Sequence, residues 1–136
     1  MRPVAGLNPA IETAAAEIAR PIDDVLVLLG DVAAADPVEV AQLLAAAPAR
    51  GVALAPSRDG GTSALLRRPR GVIPACFGAE SAKRHREAAA AAGAPLVEIA
   101  LRSLAIDVDR ADDAREILAE PTLGPNTRAV LEKWCA

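Results

Sequence analysis

Val25-Leu26-Val27-Leu28-Leu29 is an unbroken run of large apolar side chains, closed by Gly30-Asp31. Successive side chains on a strand point to opposite faces, so a run without alternation needs apolar cover on both. Such a segment predicts a buried, central parallel strand of an α/β sheet. Open α/β sheets bind their ligands beyond the carboxyl ends of their strands. Asp31 stands at that end, and its carboxylate suits a cation.

Around this strand the chain alternates helix and strand signals. Asn8-Pro9 reads as an N-cap followed by the first helical residue, starting a helix over about 10–19 that stops before Pro21. Asp36-Pro37 repeats the pattern for a helix over 38–47, and residues 52–55 form the next short strand. Pro56-Ser57-Arg58-Asp59-Gly60-Gly61-Thr62 is a loop whose glycines free backbone N–H groups to face an anion. Ala64-Leu65-Leu66 is a strand, Arg67, Arg68 and Arg70 read as a solvated edge, and Phe77-Gly78-Ala79-Glu80-Ser81 is a second turn. Ser81 is placed to cap a helix over 82–92 that Gly93 closes. A strand is expected over 95–101, a helix over 111–119, and a last helix near 127–134 docking through Val130, Leu131 and Trp134. Short connections between alternating elements point to one domain over 1–136, a mainly parallel sheet covered by helices.

Composition narrows the function. Phe77 and Trp134 are the only Phe, Tyr or Trp, and the net charge is −3. Neither a base-stacking platform nor a basic field for nucleic acid is present. Cys76 and Cys135 lack the paired spacing of a zinc or dithiol site, which suits a reducing, cytoplasmic compartment. No apolar stretch approaches the ~20 residues of a membrane span, and Glu12 and Glu17 interrupt any leader-like pattern. His85, the single histidine, falls on a helix with no spacing that pairs it with a serine, and packing or solvent exposure is the expected fate.

Three stretches could carry chemistry. If Ile106-Asp107-Val108-Asp109 is extended, Asp107 and Asp109 share a face, and two like charges there call for a cation or proton between them. Magnesium is bound by one or two carboxylates with substrate phosphates completing its shell. The other reading has Asp109 capping the next helix and Asp107 facing solvent. The Gly60-Gly61-Thr62 loop is either a phosphate cradle or an ordinary turn. At Gly78 to Ser81, Lys83, Arg84, His85 and Arg86 crowd the first turns of a helix, where positive charge opposes the macrodipole unless an anion binds or the side chains splay into solvent.

Taken in order, Asp31, Asp36-Pro37, residues 55–66, Phe77-Gly78-Ala79-Glu80-Ser81 with His85, Asp107-Val108-Asp109 with Asp113, and Leu123-Gly124-Pro125-Asn126-Thr127 resemble one group. It is the guanylyltransferases of coenzyme F420 biosynthesis, which join GTP to phosphoenolpyruvate or 2-phospho-L-lactate. The resemblance runs from Gly6 onward and implies a three-layer, nucleotidyltransferase-like (Rossmann-like) α/β fold, a mixed and mainly parallel sheet with helices on both faces.

By the same resemblance, Asp31, Asp107 and Asp109 are the catalytic acids that hold Mg2+, and Thr62, Gly78 and Ser81 bind the acceptor's phosphate or carboxylate. GTP and a phosphorylated three-carbon acid are the expected partners, with no nucleic acid and no membrane. The chain departs from the group in lacking its opening strand and nucleotide loop, in Val32-Ala33 for Leu-Pro, and in Ser63 for Asn. A sheet short of a strand exposes an edge, so a homodimer is expected. The alternatives are a shortened, non-catalytic binding module and a related nucleotidyltransferase with another acceptor.

Overall fold

A computed structural model describes residues 6–136. Helix α1 (Leu7–Ile18) leads to strand β1 (Val25–Leu28), then α2 (Pro37–Ala46), β2 (Gly51–Pro56) and β3 (Thr62–Arg68). Helix α3 (Ser81–Ala91), β4 (Leu96–Glu98), a 3-10 turn (Arg102–Leu104), α4 (Ala111–Ile117) and α5 (Pro125–Cys135) complete it. None of these helices is long and apolar enough to cross a membrane.

The chain is α/β with one open, mixed sheet in the order β1-β3-β2-β4. The expected mainly parallel sheet is not what forms among the described residues. β3 runs antiparallel to both β1 and β2, and only β2 and β4 are parallel. The cause is local. The Gly-Gly loop joins β2 directly to β3, and so short a link between neighbouring strands returns the chain antiparallel. β3 therefore takes the central place foreseen for residues 25–29. β1 lies at an edge, with Val25 buried and Leu28 exposed.

Strand alternation divides the core. Ala53, Ala55, Ala64 and Leu66 face Leu43 of α2 and Leu104. Val52, Leu54 and Leu65 face Ile73, Phe77 and α3 through Ala82 and Ala89, with Ile11 of α1 beside them. Helices thus pack on both sides of the sheet. A third cluster, with Ile106, Ile117, Leu123 and Leu131, fastens α4 and α5 beyond it. Of the three residues expected to dock α5, only Leu131 does so, whereas Val130 and Trp134 are 50% and 73% exposed.

Two further expectations change. Asp36 caps α2 as read, accepting from the N–H of Val38 at 2.9 Å, but Asn8 lies inside α1 and caps nothing. The basic run is not a solvated edge. Arg67 is fully buried and paired with Glu12, and Arg68 is paired with Asp24 at 2.7 Å.

Candidate functional site

Asp31 lies in the turn that follows β1, and its carbonyl accepts a hydrogen bond from the N–H of Val108 at 3.2 Å. Val108 sits between Asp107 and Asp109, so this single main-chain bond brings three acids together. One carboxylate oxygen from each of Asp31, Asp107 and Asp109 lies within 4.8 Å of the others. The segment is irregular rather than a strand. Asp109 does not cap α4. Asp113 does that work, its carboxylate accepting from the N–H groups of Arg110 at 2.9 Å and Asp109 at 3.2 Å.

Burial pushes the Asp107 carboxyl above the ordinary carboxylate range, and the charges of Asp59, Asp109 and Asp31 add to the shift. Asp59 moves the other way, because the Ser57 hydroxyl and then the Gly61 N–H donate to its carboxylate. That pairing alters the reading of the glycine loop. The N–H of Gly60 goes to the Ser57 carbonyl at 3.2 Å and that of Gly61 to Asp59 at 3.0 Å, so the loop satisfies itself. A side chain at Gly61 would bring its Cβ to 2.7 Å from Ser57 Oγ, which explains the glycine there. Arg58 fixes the loop from outside. Its N–H donates to the Ala105 carbonyl at 2.9 Å and its guanidinium to Asp113 at 3.0 Å and to Glu116.

Beside the acids a cleft of about 290 Å³ is lined by Asp59, Thr62, Ser63, Gly78, Ser81 and Asp107 among others. The structure therefore brings all six residues singled out by sequence to one corner: three in the acidic cluster and three in the adjoining cleft. Gly78 has a φ of +120°, and a Cβ on it would meet the Arg84 guanidinium at 2.7 Å. Arg84 donates to the Phe77 carbonyl at 2.9 Å rather than into solvent. Ser81 is the first residue of α3 and not its cap; its hydroxyl lies 3.1 Å from that of Thr62.

Sequence reasoning missed His85, Ser63 and Asn8. His85 is fully buried, with Nδ1 2.9 Å from Thr62 Oγ1 and Nε2 accepting from the Cys76 N–H at 2.9 Å. Its ring meets Phe77 edge-on at 5.0 Å. The available signal was spacing, since positions 81 and 85 share a helix face. Ser63 Oγ is buried and has no partner among the described residues. Asn8 has no such signal, because its partner, Phe77, is 69 residues away.

The guanylyl transferase CofC-like profile matches residues 2–133. A phosphoenolpyruvate guanylyltransferase of Sphaerobacter thermophilus is 36% identical over 129 residues, covering 93% of this chain and 62% of the relative. A 3-phospho-D-glycerate guanylyltransferase of Phenylobacterium zucineum is 42% identical over 132 residues, 93% of this chain and 59% of the relative. A 2-phospho-L-lactate guanylyltransferase of Natrialba magadii is 41% identical over 96 residues, 71% of this chain and 40% of the relative. The chain thus spans about three-fifths of the length of the first two relatives.

Proposed function

The chain belongs to the guanylyl transferase CofC-like family, and from that premise we propose that it joins GTP to a phosphorylated three-carbon acid with release of pyrophosphate. The observation that carries the reading is the convergence of Asp31, Asp107 and Asp109 to within 4.8 Å, beside a cleft lined by Thr62, Gly78 and Ser81. The acceptors named by the three relatives each join a phosphate and a carboxylate to a three-carbon frame. An acid of that class is the proposed acceptor, with 3-phosphoglycerate added to the two acids implied by the sequence.

The acidic cluster fits magnesium. Its donors are hard carboxylate oxygens from three residues, and burial first, with the neighbouring acids adding to it, raises the Asp107 carboxyl, a shift that a bound cation would oppose. Asp31, Asp107 and Asp109 would hold the ion, which when bound neutralises phosphate charge and aligns the reacting groups. The Thr62 and Ser81 hydroxyls, with the backbone at Gly78, hold the acceptor's phosphate. One oxygen of that phosphate attacks the α-phosphorus of GTP and forms a new P–O bond. The bond from that phosphorus to the bridging oxygen breaks, and pyrophosphate leaves with the electron pair. Transfer of this kind rests on positioning and charge stabilisation rather than covalent catalysis by the protein.

The finer points belong to the same proposal. Packing of helices on both faces of the sheet supports a three-layer, nucleotidyltransferase-like arrangement. The free thiols of Cys76 and Cys135 suit the cytoplasm. The edge position of β1 suits a homodimer, which sedimentation velocity tests. Coenzyme F420 assembly is the process in which the product is used.

The test is incubation with GTP, magnesium and each of phosphoenolpyruvate, 2-phospho-L-lactate and 3-phospho-D-glycerate, with pyrophosphate as readout. Magnesium-dependent release with at least one acid is expected. Calorimetry that finds acceptor binding without GTP binding, and no pyrophosphate, favours a binding module and rejects the transferase.

A further inference from the structure

Among the buried polar groups that the proposed transfer does not use, one adjoins its cleft through Thr62. His85 is the single histidine of the chain, and no part of it reaches solvent. Its Nε2 faces the backbone N–H of Cys76 at 2.9 Å. An amide nitrogen offers a proton and no lone pair, so Nε2 must be the unprotonated nitrogen. The ring proton then sits on Nδ1, 2.9 Å from Thr62 Oγ1. The ring donates there and the hydroxyl accepts. Burial, with Arg84 and Arg67 nearby, lowers the imidazole's pKa to about 4, so the ring is neutral near pH 7.

The consequence is a count of protons. The Thr62 and Ser81 hydroxyls lie 3.1 Å apart and share one hydrogen bond, which uses one of their two protons. The second proton cannot go to His85, which is already a donor toward Thr62. Among the described residues neither hydroxyl has a further partner, so whichever keeps it, that proton is left for the cleft that both residues line. With the ring proton on Nε2 instead, Thr62 would donate to the ring and Ser81 to Thr62. The pair would then present only lone pairs and repel an anion. The tautomer of a side chain that never meets the ligand thus decides the polarity of the site.

We propose that His85 is a positioning residue: held as its Nδ1–H tautomer by the Cys76 amide, it makes the Thr62–Ser81 pair a proton donor to an oxyanion of the phosphorylated acid. This rests on the cleft being the acceptor's site. It assigns His85 no contact with the reacting atoms.

The lone imidazole gives an unambiguous 15N spectrum of the uniformly labelled, unliganded chain. A protonated-type signal from Nδ1 and an unprotonated-type signal from Nε2 are expected, and the reverse overturns the proposal. Two variants add a binding test. The amide nitrogen of His85→Asn can donate to Thr62 from about the place of Nδ1, whereas His85→Gln reaches only the place of Nε2. Acceptor positioning predicts that phosphoenolpyruvate affinity stays within about threefold in His85→Asn and falls by about tenfold or more in His85→Gln, the worth of a hydrogen bond to a charged group. A purely structural His85 predicts the opposite order, because the Gln variant keeps the bond to Cys76, and that order overturns the proposal. Thermal melting of both variants reports folding, and the wild-type spectrum stands if neither folds. An Nδ1–H ring with phosphoenolpyruvate bound but no pyrophosphate released supports this inference while rejecting the transferase. An Nε2–H ring in a chain that does release pyrophosphate does the reverse.

Discussion

The side chain of Asn8 grips the backbone of Phe77 by both polar groups. Its amide donates to the Phe77 carbonyl at 3.0 Å, and its oxygen accepts from the Phe77 N–H at 2.6 Å. Phe77 immediately precedes Gly78, so α1 steadies the wall of the cleft from across the fold. Asn8→Ala leaves both groups without this partner and is expected to cost about 1–3 kcal/mol. Acceptor affinity should fall several-fold, although Asn8 makes no contact proposed for the ligand. Urea unfolding and calorimetry with phosphoenolpyruvate check the two effects; unchanged unfolding would remove Asn8 from this role.

On the proposed function, the acidic cluster ties stability to a divalent ion. Magnesium that binds only the folded chain raises its melting temperature by mass action. Asp107→Asn should lose most of that rise, with magnesium affinity reduced about tenfold or more, yet melt no lower than the parent in chelator because it relieves like-charge crowding. The proton linkage has a definite sign. The folded-state pKa of Asp107 is raised above 3.8, so without the ion its contribution is present below that value and lost as pH rises through the folded one. Magnesium and the proton compete, and ion affinity should climb over that same window in a fluorescence-monitored titration.

Arg67 is wholly buried, and its Nη1 meets Glu12 at 2.5 Å and the Ile73 carbonyl at 3.3 Å. Its Nε and Nη2 have no partner among the described residues. Removing one member of such a pair strands the other charge. Glu12→Ala is expected to lower stability by about 3 kcal/mol, whereas the double change Glu12→Ala with Arg67→Met should recover most of the loss. Denaturant midpoints for the cycle decide this; additive losses would refute it.

Ser63 predicts opposite signs for folding and binding. A buried hydroxyl without a partner costs the folded chain about 1 kcal/mol or more, so Ser63→Ala should unfold at higher urea concentration. If the same hydroxyl serves a ligand in the cleft, the variant should bind phosphoenolpyruvate several-fold more weakly. A variant that gains stability and keeps full affinity would show the hydroxyl to be idle.

His85 gives the chain an acid-sensitive window. The unfolded ring takes a proton near its ordinary value of 6.5, while the folded one resists until about 4. The unfolded state therefore binds more protons between those values, so this contribution is whole above 6.5 and is lost progressively down to about 4. Unfolding midpoints at about pH 7 and about pH 4.5 should differ less in His85→Asn than in the parent; equal differences would assign the acid sensitivity to other groups.

What could be read from sequence follows the range of the interactions. Asp107 and Asp109 announce themselves because two acids one residue apart demand an explanation, and Asp36-Pro37 because capping is local. Strand direction was misread because residues 25–29 specify cover on two faces and nothing about orientation. The Gly60-Gly61 loop carries that information: of its two readings, phosphate cradle or ordinary turn, the turn is the one that sets strand direction, and its N–H groups turn inward. Arg67, Ser63 and His85 were hidden for another reason. Polar residues read as exposed until a partner is known, and their partners or neighbours lie on other elements.

The hydrogen bond from the Val108 N–H to the Asp31 carbonyl involves main chain on both sides. The gap between the two acid-bearing segments is therefore written in backbone, indifferent to which side chains flank it. If the corner holds magnesium as proposed, exchanging one acid for glutamate or histidine should retune its cation preference while the frame stays put. On that reading a change of ion selectivity takes a single codon, with no strand to re-pair.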